Sequence, residues 1–202
     1  LYTLYEVIAF VSVKNLLTLG CYQLYFWSQN HLDPAKLTIL RPTKLDLWIP
    51  AVPLLFWAYA PLYYFVFTIA LLCAPQYEMV AIHAWLMLLH GAFWYSTYPT
   101  QVPETHRKKI QQAKTDPITR FIMHAVHEQD GESNALPSMH CAFSTYSALI
   151  LYPYYPMLAI TFPIIVAISC LTSKQHLLVD IIPGFMLGAL HGGLYVVMQG
   201  LV

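Results

Sequence analysis

Six apolar stretches dominate the sequence, and most of them approach the length that a helix needs to cross a lipid bilayer. They cover residues 5–27, 49–72, 79–98, 138–152, 156–171 and 177–197. A transmembrane helix takes about 20 mainly apolar residues, and only the fourth and fifth stretches fall clearly short. Pro153 and Pro156 flank a Tyr-Tyr pair that predicts a tight hairpin between those two. We therefore predict an all-α fold, in which residues 1–202 form one polytopic membrane domain, a bundle of six transmembrane helices.

The composition agrees with a lipid environment, because 58% of the residues are hydrophobic and only 10% are charged. An ordinary soluble chain carries about 25% charged residues. The formal net charge is zero, which argues against nucleic acid as a partner. The cysteines stand singly in apolar stretches, without the CxxC spacing of a zinc knuckle or redox pair; they are Cys21, Cys73, Cys141 and Cys170. We interpret them as small buried side chains.

The cations between the stretches predict a membrane orientation. With six crossings, the first, third and fifth connections share one side, and they hold Lys36, Arg41, Lys44, Arg107, Lys108, Lys109, Lys114, Arg120 and Lys174. The remaining connections contain no Lys or Arg. The positive-inside rule would place the charged side in the cytoplasm. Alternatively, these cations bind an anion, and the sequence leaves both interpretations open.

A polar loop runs directly into the fourth stretch at "NALPSMHCAFS", where Pro137 and Ser138 precede His140. Pro and Ser are common at helix starts. A helix start also offers unpaired N–H groups and a positive dipole end to an oxyanion. By itself the pattern is typical of an ordinary helix start with an incidental histidine, and it is also compatible with a phosphate site.

The stretch "LTSKQHLLVD" places His176 and Asp180 four residues apart at the head of the sixth stretch. On a helix this spacing puts the two side chains one turn apart on one face. The carboxylate could then hold the imidazole in one tautomer, leaving the other nitrogen as a nucleophile or base. The alternative is an ion pair at the edge of the membrane.

Together the two motifs resemble those of the type 2 phosphatidic acid phosphatase (PAP2) superfamily of membrane lipid phosphatases and phosphotransferases. The family's PSGH motif corresponds to Pro137–His140, and its SRxxxxxHxxxD motif is matched by Ser169, His176 and Asp180. The stretches "DLWIPAVP", "YPT" and "SKQHLLVD" resemble the branch that contains inositol phosphorylceramide synthase-like members. The resemblance implies a six-helix membrane protein with its active site on one face.

The resemblance also implies a reaction that needs neither a metal nor a cofactor. His176 would attack phosphorus and form a phospho-histidine, while Asp180 orients its ring. His140 would protonate the leaving oxygen and then activate water or an acceptor hydroxyl. Ser138 and nearby backbone N–H groups would hold the phosphoryl oxygens, with Ser169 assigned to the same substrate-binding set. An imidazole nucleophile divides one hard step into two, and fixed donors stabilise the developing charge.

Two positions depart from the family pattern. Cys170 stands where the family has an arginine, which leaves Lys174 as the nearby cation. A lysine supplies a point charge but cannot form the bidentate hydrogen bonds of a guanidinium group. The first family motif, KxxxxxxRP, is absent from "YPTQVPETHRKK". We therefore assign Arg107 and Lys174 to substrate binding, with a solvated basic loop as the alternative for Arg107.

Other histidines support a rival hypothesis. His83 and His90 share one side of the third stretch, and His124 and His127 share one face of a helix predicted around Ile118–Val126. Such sets could bind zinc in a metalloenzyme or metal transporter, or they could line a headgroup pocket; no HExxH motif is present. The helix itself is amphipathic and is expected to lie near the headgroups. A channel or structural membrane protein is a third class, but it would give the paired motifs no purpose.

We predict from these features an integral membrane enzyme that hydrolyses a phosphate monoester or diphosphate of a lipid. The main alternative is a phosphotransferase that passes the phosphoryl group or phospho-headgroup to a hydroxyl acceptor. The expected partners are a phosphorylated lipid and the bilayer, with no nucleic acid. We place the active site on the extracytoplasmic or lumenal face, as in the family, against the charge distribution. The motifs do not identify the lipid.

Overall fold

The computed structural model describes residues 34–129 and 133–200, together with isolated positions before residue 24. The first predicted transmembrane stretch lies outside the described residues, apart from those positions. The described chain is mostly helical, which agrees with an all-α fold. Its α-helices are α1 Lys44–Trp48, α2 Tyr63–Cys73, α3 Tyr77–Thr97, α4 Glu104–Gln112, α5 Pro117–Gln129, α6 Met139–Leu151, α7 Pro156–Thr172 and α8 Leu178–Gln199.

Short elements connect these helices. The 3-10 turns Pro34–Lys36 and Pro53–Leu55 and the π-helical turn Ala58–Leu62 precede α2. Two-residue strands, β1 Thr38–Ile39 and β2 Thr100–Gln101, pair in parallel. The π-helical turn contains Pro61, whose missing N–H interrupts the regular hydrogen-bond ladder. The proline-rich start of the second stretch therefore becomes a sequence of turns that leads into α2.

Five of the six predicted stretches correspond to helical segments within the described residues. Two segments, Pro53–Cys73 and α8, are each long and apolar enough to cross a membrane, whereas α6 and α7 are apolar but shorter. These features support membrane association, while the count of six crossings stays a prediction. The helix predicted around Ile118–Val126 is α5, on which Ile118 and Phe121 are exposed.

Helix α6 lies at the centre of the fold. It packs against α2, α7 and α8, and α3 packs against α8. The phenol of Tyr146 on α6 is fully buried and donates a hydrogen bond to the carbonyl oxygen of Val80 on α3, at 2.7 Å. On the outer face of α7, by contrast, Ile160, Ile164 and Ile168 are exposed. An apolar interior with an apolar outer face is what a lipid environment favours.

A row of glycines lets α8 lie directly on α6. Gly184, Gly188 and Gly192 recur once per turn along α8. A Cβ atom at Gly184 would stand 2.4 Å from the carbonyl oxygen of Ser138, and one at Gly188 would stand 2.2 Å from that of Ala142. Small residues in this pattern allow two helix backbones to approach closely. The starts of α6 and α8, which carry the two motifs, are thereby brought side by side.

Gly184→Ala is expected to lower both the unfolding temperature and the activity, because the new methyl group would push the start of α8 away from Ser138. Gly193→Ala is the matched control, since a Cβ atom there meets nothing within 4 Å. In a helix Ala is favoured over Gly by about 1 kcal/mol, so the control should be neutral or stabilising. Thermal unfolding in detergent measures the difference. Equal effects of the two substitutions would contradict the close approach of α8 to α6.

Candidate active site

His176 and Asp180 meet at the start of α8. Asp180 is fully buried, and its Oδ2 atom lies 3.5 Å from Nδ1 of His176. The same oxygen accepts a hydrogen bond from the backbone N–H of Leu177, at 2.8 Å, which fixes the carboxylate. The separation from His176 is longer than the usual 2.7–3.2 Å of an N–H···O bond, and catalytic contacts often tighten only when substrate binds. The pair is therefore placed to orient the imidazole and leave its other nitrogen free.

The two sequence motifs are joined through the backbone. The N–H of Ser138 donates to the carbonyl oxygen of Asp180, at 3.0 Å. In the first turn of α6, the ring of His140 lies 5.7 Å from the ring of His176, measured between centroids. His140 also stacks on Tyr59, with 4.0 Å between the centroids. Residues far apart in sequence therefore form one arrangement in which two imidazoles meet edge to face.

Both histidines line a small pocket. Its remaining walls come from Tyr59, Tyr95, Val102, Arg107, Asn134, Ala135, Met139 and Gln175. The cavity volume is ≈ 50 Å³, and a water molecule needs at least about 10–15 Å³ by the same measure. The space therefore suits a phosphoryl-sized group rather than a whole lipid.

Arg107 supplies the positive charge of this pocket. It lies on α4, is largely buried, and donates from Nη2 to Oε1 of Gln175, at 3.0 Å. On the neighbouring loop, Nδ2 of Asn134 is buried without a hydrogen-bond partner among the described residues. A guanidinium group and an amide aimed at the same small space are suitable donors for oxyanion oxygens. Arg107, which the sequence left between a phosphate ligand and a solvated loop, thus lies beside the two histidines.

The other three predicted binding residues lie behind the pocket rather than on its lining. The buried hydroxyl of Ser138 accepts a hydrogen bond from the N–H of Cys141, at 3.4 Å, as the cap of α6. Oγ of Ser169 is buried without a partner among the described residues. Lys174 is 1% exposed and donates from Nζ to the carbonyl oxygen of Ile49, at 2.6 Å. In this structure Ser138 and Lys174 hold the surrounding backbone.

Asp46 connects the segment before α2 to the start of α8. Its Oδ2 atom accepts hydrogen bonds from the N–H and the hydroxyl of Thr43, at 2.7 and 2.6 Å, and caps α1. Its Oδ1 atom accepts from the N–H of Leu178, at 2.8 Å, where α8 begins. One buried carboxylate therefore satisfies donors at two helix starts. It fixes the segment before α2 against the turn that carries His176.

The charged groups near Asp46 shift the pKa values of their neighbours. Burial lowers the pKa of Lys174, Lys109 lowers it further, and Asp46 acts in the opposite direction. Burial likewise lowers the pKa of His106 to about 4, with contributions from Lys174 and Lys109. His106 is therefore neutral at pH 7. It adds no positive charge to the pocket wall beside Arg107.

The histidines of the metal hypothesis lie elsewhere. His83 and His90 on α3 flank His191 on α8, with ring centroids 6.2 and 6.0 Å from that of His191. His124 is exposed on α5, and the side chain of His127 lies outside the described residues. Among the described residues, the His/Cys/Asp/Glu group with its ligand atoms close enough for a metal is instead His140, Cys170 and His176.

Several pocket residues were not found from the sequence. The sequence motifs gave no role to Tyr59 or Tyr95, although the hydroxyl of Tyr95 donates to the carbonyl oxygen of Pro137, at 2.6 Å, and holds the start of the Pro137–His140 motif. Gln175 directly precedes His176 in the polar run Thr172–His176, and this position was the available signal. Asn134 lay in a loop that gave no signal by periodicity.

Comparisons with known proteins give one match. Neither a curated protein nor a solved structure matches the chain. A family model described as the PAP2 superfamily matches residues 78–201. The matched region contains α4, α6 and α8, and so holds His140, His176, Asp180 and Arg107. Because this match covers more than half of the chain, the protein belongs to the PAP2 superfamily.

Proposed function

We propose that this protein is a membrane lipid phosphatase that acts through a phospho-histidine intermediate on His176. Membership of the PAP2 superfamily supports an enzyme of phosphatase or phosphotransferase type. The observation that carries the finer proposal is the placement of His176 beside His140 on the lining of one small pocket, with the buried carboxylate of Asp180 3.5 Å from its Nδ1 atom.

In the first step, Nε2 of His176 forms a bond to phosphorus as the bond to the lipid oxygen breaks. Protonated His140 gives its proton to that oxygen, so the alcohol leaves neutral. Asp180, beside Nδ1, balances the positive charge that the phosphorylated ring acquires. Arg107 and Asn134 are placed to hold the oxygens on which negative charge is spread.

In the second step, the now neutral His140 takes a proton from water, and the resulting oxygen nucleophile breaks the N–P bond. Inorganic phosphate leaves and both imidazoles return to their starting states. An acceptor hydroxyl in place of water would give phosphotransfer through the same intermediate. The branch resemblance of the "DLWIPAVP" segment favours this alternative, which we keep as the second candidate.

A lipid substrate fits the size and surroundings of the pocket. The cavity takes a phosphoryl-sized group, while exposed apolar side chains cover the outer faces of α7 and α8. Lipid tails can therefore remain in the bilayer while the headgroup enters. The proposal includes six crossings, no metal requirement and a site that faces away from the cytoplasm.

Phosphate release from a panel of lipid phosphates in detergent, with EDTA present, tests this proposal. We expect release that survives EDTA, together with an acid-labile, base-stable phosphoryl group on the protein in rapidly quenched samples. That stability is characteristic of a phosphoramidate and not of a phosphoserine. Phosphate release abolished by EDTA would contradict the proposal and favour a metal enzyme. Phosphorylated protein without phosphate release would favour the transferase, and adding alcohol acceptors would then restore turnover.

A further inference from the structure

Cys170 lies against the two catalytic histidines and has no part in the reaction described above. It is fully buried on α7, next to Ser169. One ligand atom from each of His140, Cys170 and His176 lies within 4.8 Å of the other two. The thiol does not line the pocket, but with the two histidines that do it completes a set of two nitrogen ligands and one sulfur ligand.

This set has the chemistry and nearly the geometry of a zinc site. Zn²⁺ binds imidazole nitrogen at about 2.0–2.1 Å and thiolate sulfur at about 2.3 Å, in tetrahedral sites. Ligand atoms around such an ion are therefore about 3.3–3.6 Å apart. From the observed limit of 4.8 Å, each pair has to close by at most about 1.2–1.5 Å, within the range of small side-chain rotations. The pocket leaves room for water as a fourth ligand.

A second observation also favours a ligand here. Nδ1 of His176 is buried without a hydrogen-bond partner among the described residues, although this side chain is only 5% exposed. Asp180 stands 3.5 Å away and keeps Oδ1 without a partner as well. Buried polar atoms normally have partners. A carboxylate beside a metal-binding histidine is the usual support for its orientation.

We propose that His140, Cys170 and His176 bind a thiophilic divalent cation such as Zn²⁺, and that the bound ion switches off phosphoryl transfer. On binding, the Cys170 thiol becomes a thiolate and its proton passes to solvent. Binding of the metal to either ring nitrogen of His176 would stop phosphoryl transfer. A metal on Nε2 occupies the attacking atom, and a metal on Nδ1 removes the atom that Asp180 orients.

Binding is tested without reference to activity, with Co²⁺ as a spectroscopic replacement for Zn²⁺. The purified protein in detergent should develop a thiolate-to-Co²⁺ charge-transfer band at about one equivalent, and added Zn²⁺ should remove it. Cys170→Ser should lack the band. Cys73→Ser, which changes a cysteine on α2 outside the site, should keep it. No band in the folded parent protein, or an unchanged band in Cys170→Ser, would overturn the site.

The inhibitory effect rests on the proposed function and has a separate test. Zn²⁺ should stop phosphate release by the parent protein, and EDTA should restore it. In Cys170→Ser, the activity that remains should need at least tenfold more Zn²⁺ for the same inhibition. Equal sensitivity of both proteins would reject inhibition through this site. If the protein shows the Co²⁺ band but releases no phosphate from any lipid, the metal site is supported and the phosphatase proposal is rejected.

Discussion

His176→Gln is expected to reduce phosphate release by about 10³-fold or more, because it removes the atom that bonds to phosphorus. Losses of this size and larger follow removal of a nucleophile whose partners act with it as one unit. Glutamine is close to histidine in size and polar, so the buried surroundings near Asp180 should remain filled. The measurement is kcat with a lipid phosphate, alongside the yield of acid-labile phosphoprotein. Both should fall together.

His124→Gln provides the control for this substitution, since that histidine is exposed on α5 and away from the pocket. It should retain the activity of the parent protein. Thermal unfolding of both variants separates a chemical effect from a loss of fold. If a stable His176→Gln protein still forms phosphoprotein, the nucleophile is a residue other than His176, which would contradict the assignment.

Asp46→Ala should be the most destabilising single substitution outside the core, although Asp46 does not line the pocket. Its carboxylate accepts three hydrogen bonds within 2.8 Å, including one from the first residue of α8. Removing it leaves the N–H of half-buried Leu178 without its acceptor. It also takes away the acidic neighbour that opposes the lowering of the Lys174 pKa. Each such loss costs about 1–3 kcal/mol. We expect a loss of about 3 kcal/mol or more.

Asp116→Ala is the matched control, because Asp116 also caps a helix, accepting from the N–H of Thr119 at 2.9 Å, but is exposed. Loss of such a cap costs about 1 kcal/mol. Denaturant unfolding in detergent compares the two variants. Activity should fall only in Asp46→Ala, since the start of α8 places His176. Similar unfolding energies for the two variants would show that the Asp46 bridge adds nothing beyond ordinary capping.

The sequence predicted α3, α6, α7 and α8 to within a few residues, because hydropathy and proline position act locally. The second stretch, 49–72, differs, since its proline-rich start forms turns and α2 begins only at Tyr63. The two motifs also indicated that His140, His176 and Asp180 belong together. Periodicity could not show that Tyr59 stacks on His140, because that contact depends on how turns before α2 fold over α6. The same limit applies to His191, whose position between His83 and His90 depends on the packing of α8 against α3.

The cation expected from the first family motif, KxxxxxxRP, shows a further limit of prediction from the sequence. The spacing that the family uses is absent, and sequence gave no reason to choose between Arg107 and its lysine neighbours. Their positions on α4 distinguish the two neighbours: Arg107 lines the pocket and is largely buried, whereas Lys108 is exposed and pairs with Glu104, at 2.6 Å. Residues one position apart on a helix point about 100° apart, so only one of them can reach a given site.

The hydrogen bond from the N–H of Ser138 to the carbonyl oxygen of Asp180 has a consequence for redesign of the site. Both of its atoms belong to the main chain, so a new side chain at position 180, or any except proline at position 138, leaves the donor and the acceptor in place. Only a displacement of one helix start from the other, as expected for Gly184→Ala, breaks this link. Side chains at positions 138 and 180 can therefore be exchanged to vary the chemistry while the alignment of the two helix starts is kept by the main chain.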